Sequence, residues 1–110
     1  MDTRGHWHCL YHRSPFSNVT VAGGHAFSLD GHEWHVASAP AYSSTQEYQQ
    51  GGARIYGKRE RPHLLFDPVT GKPTHLTTGV CLNPDYRKCN DNPWPGYFDY
   101  TLTSVAPIGQ

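Results

Sequence analysis

In the run Arg59-Glu60-Arg61-Pro62 a carboxylate stands between two guanidinium-bearing residues. A cation a few ångströms away favours the ionised form and lowers a carboxylate pKa by about 1–3 pH units. An acid held this way suits orienting or binding a polar ligand better than donating a proton, which needs a raised pKa. The plainer reading of the same residues is a surface ion pair, which contributes about 0–1 kcal/mol. A second constellation lies in Gly5-His6-Trp7-His8-Cys9-Leu10-Tyr11-His12, part of a chain with eight histidines. Strand alternation puts His6, His8, Leu10 and His12 on one face and Trp7, Cys9 and Tyr11 on the other. His6 and His8 could offer two nitrogens to a metal. His12, however, lies about 13 Å from His8 at strand rise, so a third ligand must come from His25, His32 or His35. The competing reading is a set of hydrogen-bonded histidines packed against Trp7, Tyr11 and Trp34. It is preferred, so no metal ligand and no cofactor is assigned.

The remaining acids offer less. Asp30 and Asp67 sit in turn sequences, where Asp caps the local backbone. Asp85 and Asp91 fall in a polar loop and serve to solvate it. No complete acid pair for catalysis can be assigned.

These residues are positioned by short strands and turns. Strands are expected at His6–His12, at Val21–Leu29 and, after an Asp30-Gly31 hairpin turn, at Glu33–Ser38. The Gly23-Gly24 pair weakens the second strand and marks a place where another backbone can approach closely. Residues 39–52, rich in Ser, Gln, Tyr and Gly, read as a polar connection. Further strands follow at Ala53–Tyr56, Pro62–Phe66, Pro73–Val80 and Tyr97–Val105, with a turn over Asp67–Lys72 and a loop over Leu82–Gly96. No stretch keeps helical apolar spacing for long. The expected class is all-β, built of antiparallel sheets.

A chain of 110 residues suits one small domain. Nine basic and nine acidic residues cancel, and the pI is near 7.1, so nothing general favours nucleic acid or an acidic membrane as a partner. No apolar run approaches the roughly 20 residues that span a bilayer. Cys81 and Cys89 bracket a polar loop and could close it as a disulfide, leaving Cys9 alone; three free thiols are the alternative. Asn18-Val19-Thr20 is a glycosylation acceptor triplet. The N-terminal residues carry no apolar export signal. Acceptor and possible disulfide together still suggest an extracellular or secretory-pathway parent.

Internal similarity appears at an offset of 66 residues, where Asp2 to Leu10 aligns with Pro68 to Leu76 around Gly5 and Gly71. Such a period fits repeated antiparallel sheets. Three segments, GGHAFSLDGHEW (Gly23–Trp34), RERPHLLFD (Arg59–Asp67) and GKPTHLTTGV (Gly71–Val80), resemble the C-terminal part of proteins similar to glycoside hydrolase family 43. DYTLTSVAPIG (Asp99–Gly109) resembles their last strand, so the resemblance covers nearly the whole chain in order.

The resemblance implies about two blades of a five-bladed β-propeller, incomplete at the N-terminus. In those proteins a segment of the type E-D-P-F-apolar-W precedes the stretch that here begins the chain. The implied division is a partial blade and connection over residues 1–52 and a last blade over 53–110. The implied activity is hydrolysis of glycosidic bonds in a polysaccharide or oligosaccharide by the parent, with the fragment itself inactive. A non-catalytic carbohydrate-binding propeller is the alternative, and a His-rich metal-binding β-domain a further one. Glycoside hydrolysis uses two carboxyl groups flanking the bond, and the family adds a third that orients the proton donor. Glu60, whose Glu60-Arg61-Pro62 context repeats the shape of E-D-P, is the candidate catalytic or orienting acid. Arg61, His25, His8 and Trp94 are the candidate sugar-binding residues, Trp94 because Pro93 and Pro95 flank it in a loop. The implied partners are a carbohydrate substrate and the remaining blades. An isolated pair of blades leaves open edges, so marginal folding or association is expected.

Overall fold

A computed structural model describes residues 1–12, 23–85, 88–89 and 102–108, and the structural statements here concern those residues. The fold is all-β: β1 (Trp7–His12), β2 (Gly23–Ser28), β3 (His35–Val36), β4 (Thr45–Glu47), β5 (Ala53–Ile55), β6 (Lys58–Phe66), β7 (Pro73–Cys81) and β8 (Leu102–Pro107). They form three antiparallel sheets, ordered β1-β2-β3, β4-β5 and β6-β7-β8, none of them closed on itself.

Turn chemistry sets most of these boundaries. At the β6–β7 hairpin, Asp67 Oδ1 accepts hydrogen bonds from the N–H groups of Val69 and Thr70 at 2.9 and 2.7 Å. Gly71 takes a positive φ of 68° as the chain returns. After β2, Asp30 Oδ1 accepts from the N–H groups of His32 and Glu33 at 2.8 and 2.9 Å. Both acids are turn caps, as their sequence context predicts. The expected return strand over Glu33–Ser38 shrinks to His35–Val36, and Trp34 is exposed beside the turn. Its indole N–H donates to the Gly31 carbonyl at 3.3 Å.

Two departures from expectation have local causes. The connection over residues 39–52 contains β4, which pairs with β5 around a turn in which Gly51 and Gly52 both adopt positive φ. Strand β6 begins at Lys58, ahead of Pro62, because a bulge absorbs the proline: Glu60 pairs with Gly79 and His63 with Thr77. The longer side of that bulge holds Arg61 at φ 53°, a left-handed conformation that non-glycine residues seldom adopt. Proline, lacking an N–H, costs no ladder bond at such a place.

The buried apolar residues are few and include Ala26, Tyr42, Tyr56, Val80 and Ala106. Cys81 and Cys89 are fully buried and joined as a disulfide, while Cys9 is free and exposed. The bond closes a loop with a sequence separation of 8. Loop-closure entropy for so short a loop gives about 2–3 kcal/mol. Replacing both cysteines by serine is expected to lower the stability by that amount in urea titration, and added reductant should then have no further effect on the variant.

Candidate functional site

Strand β1 pairs with β2 so that His8 lies opposite Phe27 and Leu10 opposite His25. This diagonal brings the rings of His8 and His25 together, with His8 Nδ1 and His25 Nε2 2.9 Å apart. The ring centroids are 5.2 Å apart and the planes 17° from parallel. That separation exceeds the nitrogen–nitrogen distance by about two ring radii, so the rings meet end to end through a hydrogen bond rather than face to face. On its other side, His8 Nε2 lies 3.0 Å from Asp2 Oδ2. A carboxylate, an imidazole and a second imidazole thus form one chain.

Asp2 is held in place by its own turn. Its Oδ1 accepts from the backbone N–H groups of Arg4 and His6 at 2.9 and 3.0 Å. Its Oδ2 also accepts from Arg4 Nη2 at 2.8 Å, and His6 Nδ1 stands 3.8 Å away. The His8 and Arg4 hydrogen bonds, supported by the two N–H groups, hold the Asp2 carboxyl well below the usual carboxylate range. A depressed acid stabilises the fold above its unfolded pKa and loses that contribution only as pH falls further, so this turn stays tied above about pH 4. Burial pulls His25 below its ordinary value, and the charge that His8 carries whenever it is protonated adds to this.

The protonation pattern follows from these contacts. An ionised carboxylate only accepts, so His8 Nε2 carries a hydrogen. In neutral His8 the Nδ1 is then a lone pair, and His25 Nε2 must donate to it. The free end of the chain is His25 Nδ1, an acceptor with no partner among the described residues.

Asp2, His8 and His25 line an open groove of about 970 Å³ between β1–β2 and β6–β7. The facing wall includes Leu64, Phe66, Leu76 and, from the β6–β7 turn, Lys72. Tyr42 also lines it, its ring packed against the Cα of Gly23. The neighbouring Gly24 likewise faces the Tyr11 ring. The glycine pair therefore admits two aromatic rings, and at Gly23 also the expected second backbone, that of Ala41 and Tyr42, in an isolated antiparallel bridge. A cleft of this size, mainly apolar with a few convergent polar groups, is the ordinary form of a small-ligand site.

The other sequence-derived candidates lie elsewhere. Strand alternation and the β6–β7 register put Glu60 and Gly79 on the face of the sheet opposite Arg59, Leu64 and Leu76. Glu60 therefore does not line the groove. Among the described residues it forms no ion pair with Arg59 or Arg61, so the expected clamp is absent. Arg61 is exposed at the bulge. Trp94 and Asn18 lie outside the described residues.

Arg59 is instead buried and directed inward. Its Nε donates to Thr78 Oγ1 at 3.2 Å, Nη1 to the Ser43 carbonyl at 3.0 Å and Nη2 to Gln46 Oε1 at 2.8 Å. The guanidinium carbon stands 5.3 Å from the centre of the Tyr42 ring and 5.9 Å from that of Tyr56. Burial pushes the Tyr42 phenol up to about 12, Arg59 opposing and Glu60 adding to the rise. A buried arginine in a strand that otherwise reads as a charged start gave little sequence signal. Asp2 was missed for a similar reason, as an acid before a turn has no periodicity to mark it. The histidines gather no group of three or more His, Cys, Asp or Glu that could hold a metal ion, among the described residues.

No helix among the described residues is long and apolar enough to cross a membrane. The chain matches no family model, no curated protein and no solved structure.

Proposed function

We propose that this chain binds carbohydrate in the groove between β1–β2 and β6–β7, as part of a propeller of the glycoside hydrolase family 43 type. The observation that carries the reading is the contact between His8 and His25. These are the two histidines that the sequence resemblance points to as sugar ligands, and they adjoin on one wall of an open groove. Imidazole nitrogens exchange hydrogen bonds readily with sugar hydroxyls, and the Phe66 and Tyr42 side chains supply apolar surface for the ring faces.

Binding, rather than bond cleavage, is the part of the function this chain carries. Asp2 is the carboxylate in the groove lining, and its lowered pKa makes it a poor proton donor. Hydrolysis needs a second acid, and Glu60 is on the other face of its sheet. In the proposed parent, further blades supply the missing acids and cover the open edges. The disulfide accords with a secreted parent, since such bonds persist in oxidising compartments.

The test is a titration of the folded chain with neutral oligosaccharides, followed by calorimetry and by histidine ring signals in NMR. Saturable binding that shifts the His8 and His25 signals and weakens at least tenfold in His8→Ala is expected. Absence of binding to a broad set of neutral and acidic oligosaccharides would overturn the reading.

A further inference from the structure

We propose that the groove takes a carboxylate-bearing saccharide, such as a uronic-acid oligomer, with the His8–His25 pair and Lys72 as its cationic recognition groups. The inference rests on the carbohydrate reading and narrows it to a substrate class.

The argument starts from the direction of the relay. Asp2 fixes one end, at His8 Nε2, and the hydrogen bond between the imidazoles uses the next two nitrogens. One nitrogen remains to take up a proton, His25 Nδ1. When it does, the free end of the relay changes from an acceptor to a charged donor. The neutral form matches a sugar hydroxyl, and the protonated form matches a carboxylate through a charge-assisted hydrogen bond.

The surrounding charges favour that change of partner. From the N-terminal turn, Arg4 already pairs with Asp2 at 2.8 Å, and His6 stands near the same oxygen. The proton on the pair is therefore not cancelled by a free acid. From the facing wall, the β6–β7 turn contributes Lys72. Strands β6 and β7 contribute Leu64, Phe66 and Leu76, which carry no charge, and Tyr42 stays neutral because burial raises its phenol pKa. Glu60, the nearest other acid on β6, is on the opposite face of the sheet. An anion in the groove thus meets cationic groups on both walls.

The pH dependence has a definite sign. Burial pulls His25 below its ordinary value, so the charged recognition state fills as the pH falls and is lost as it rises. The measurement compares a galacturonic-acid oligomer with its fully methyl-esterified form, which keeps the shape and removes the charge. Each is titrated into the full chain by calorimetry between pH 5 and pH 8. The acid form is expected to bind about tenfold more tightly at pH 5 than at pH 8, with the ester insensitive to pH. His25→Gln should abolish the pH dependence, and Lys72→Ala should weaken the acid form at every pH. Should His25→Gln fail to fold, the NMR titration of the wild-type His25 ring with and without the acid oligomer reads the same linkage, the bound ligand raising its pKa.

Equal affinity for acid and ester across the range would overturn the inference while leaving carbohydrate binding intact. Failure of both to bind, together with failure of neutral sugars, would overturn both.

Discussion

Replacing Arg59 by alanine is expected to lower stability by about 3 kcal/mol or more, seen as a fall in Tm of about 12 °C or more. The side chain joins parts of the molecule that otherwise touch little: Gln46 of β4, the Ser43 carbonyl before it, Thr78 of β7 and the rings of Tyr42 and Tyr56. Its removal leaves the buried Thr78 hydroxyl without this donor, at a cost of about 1–3 kcal/mol, takes a bond from the half-buried Ser43 carbonyl and Gln46 amide, and opens a void between the rings. Lysine keeps the charge but not the planar fork, so Arg59→Lys should recover less than half of the loss. Thermal unfolding of the two variants decides the matter. A change under 1 kcal/mol for Arg59→Ala would mean that the β4–β5 hairpin is not held by this residue.

The second large effect is expected at Gly23. A methyl group there would lie inside the space of the Tyr42 ring, and the backbone on both sides is fixed. Gly23 donates its N–H to the Tyr42 carbonyl at 3.1 Å, and its own carbonyl accepts from Ala41 at 3.0 Å. The ring must therefore move, and in moving it leaves both Arg59 and the groove lining. Gly23→Ala should cost about 2–3 kcal/mol, the upper part of the range for overpacking a core. Because both substitutions act through Tyr42, their effects should not add. A double-mutant cycle with Arg59→Ala should show a coupling of about 1 kcal/mol or more, whereas independent sites add to within about 0.5 kcal/mol.

Much of the strand order was legible in the sequence because turns advertise themselves. Asp30-Gly31 and the Asp67–Lys72 run place their acids where backbone N–H groups converge, and alternation then assigns faces to β1 correctly. His8 and Leu10 do share the groove wall. Alternation fails at β6. Counting by twos from Glu60 would put Leu64 on its face, but the extra residue in the bulge makes Glu60 and His63 share a face and sends Leu64 to the other. A bulge shifts every later position by one, and only the partner strand reveals it. Strand β5 was expected, but its partner β4 was hidden for a different reason: Thr45, Gln46 and Glu47 are polar and mostly exposed, so no apolar pattern distinguishes them from a loop. The pairing of His8 with His25 depends on the register between β1 and β2. The sequence supplied both residues but not their contact.

The cage around Arg59 has a bearing on how the molecule meets acid. Guanidinium keeps its proton throughout the range in which proteins work, its partners are a carbonyl, an amide and a hydroxyl, and Tyr42 ionises only near pH 12. Between pH 4 and pH 9 this joint therefore has no proton to gain or lose. The relay on the groove wall is its opposite, since it ends in the imidazole of His25, whose charge can change within that interval. One part of the molecule acts as a fixed chassis and the other as a tunable contact, so acidification can alter what the groove accepts without loosening the frame that shapes it.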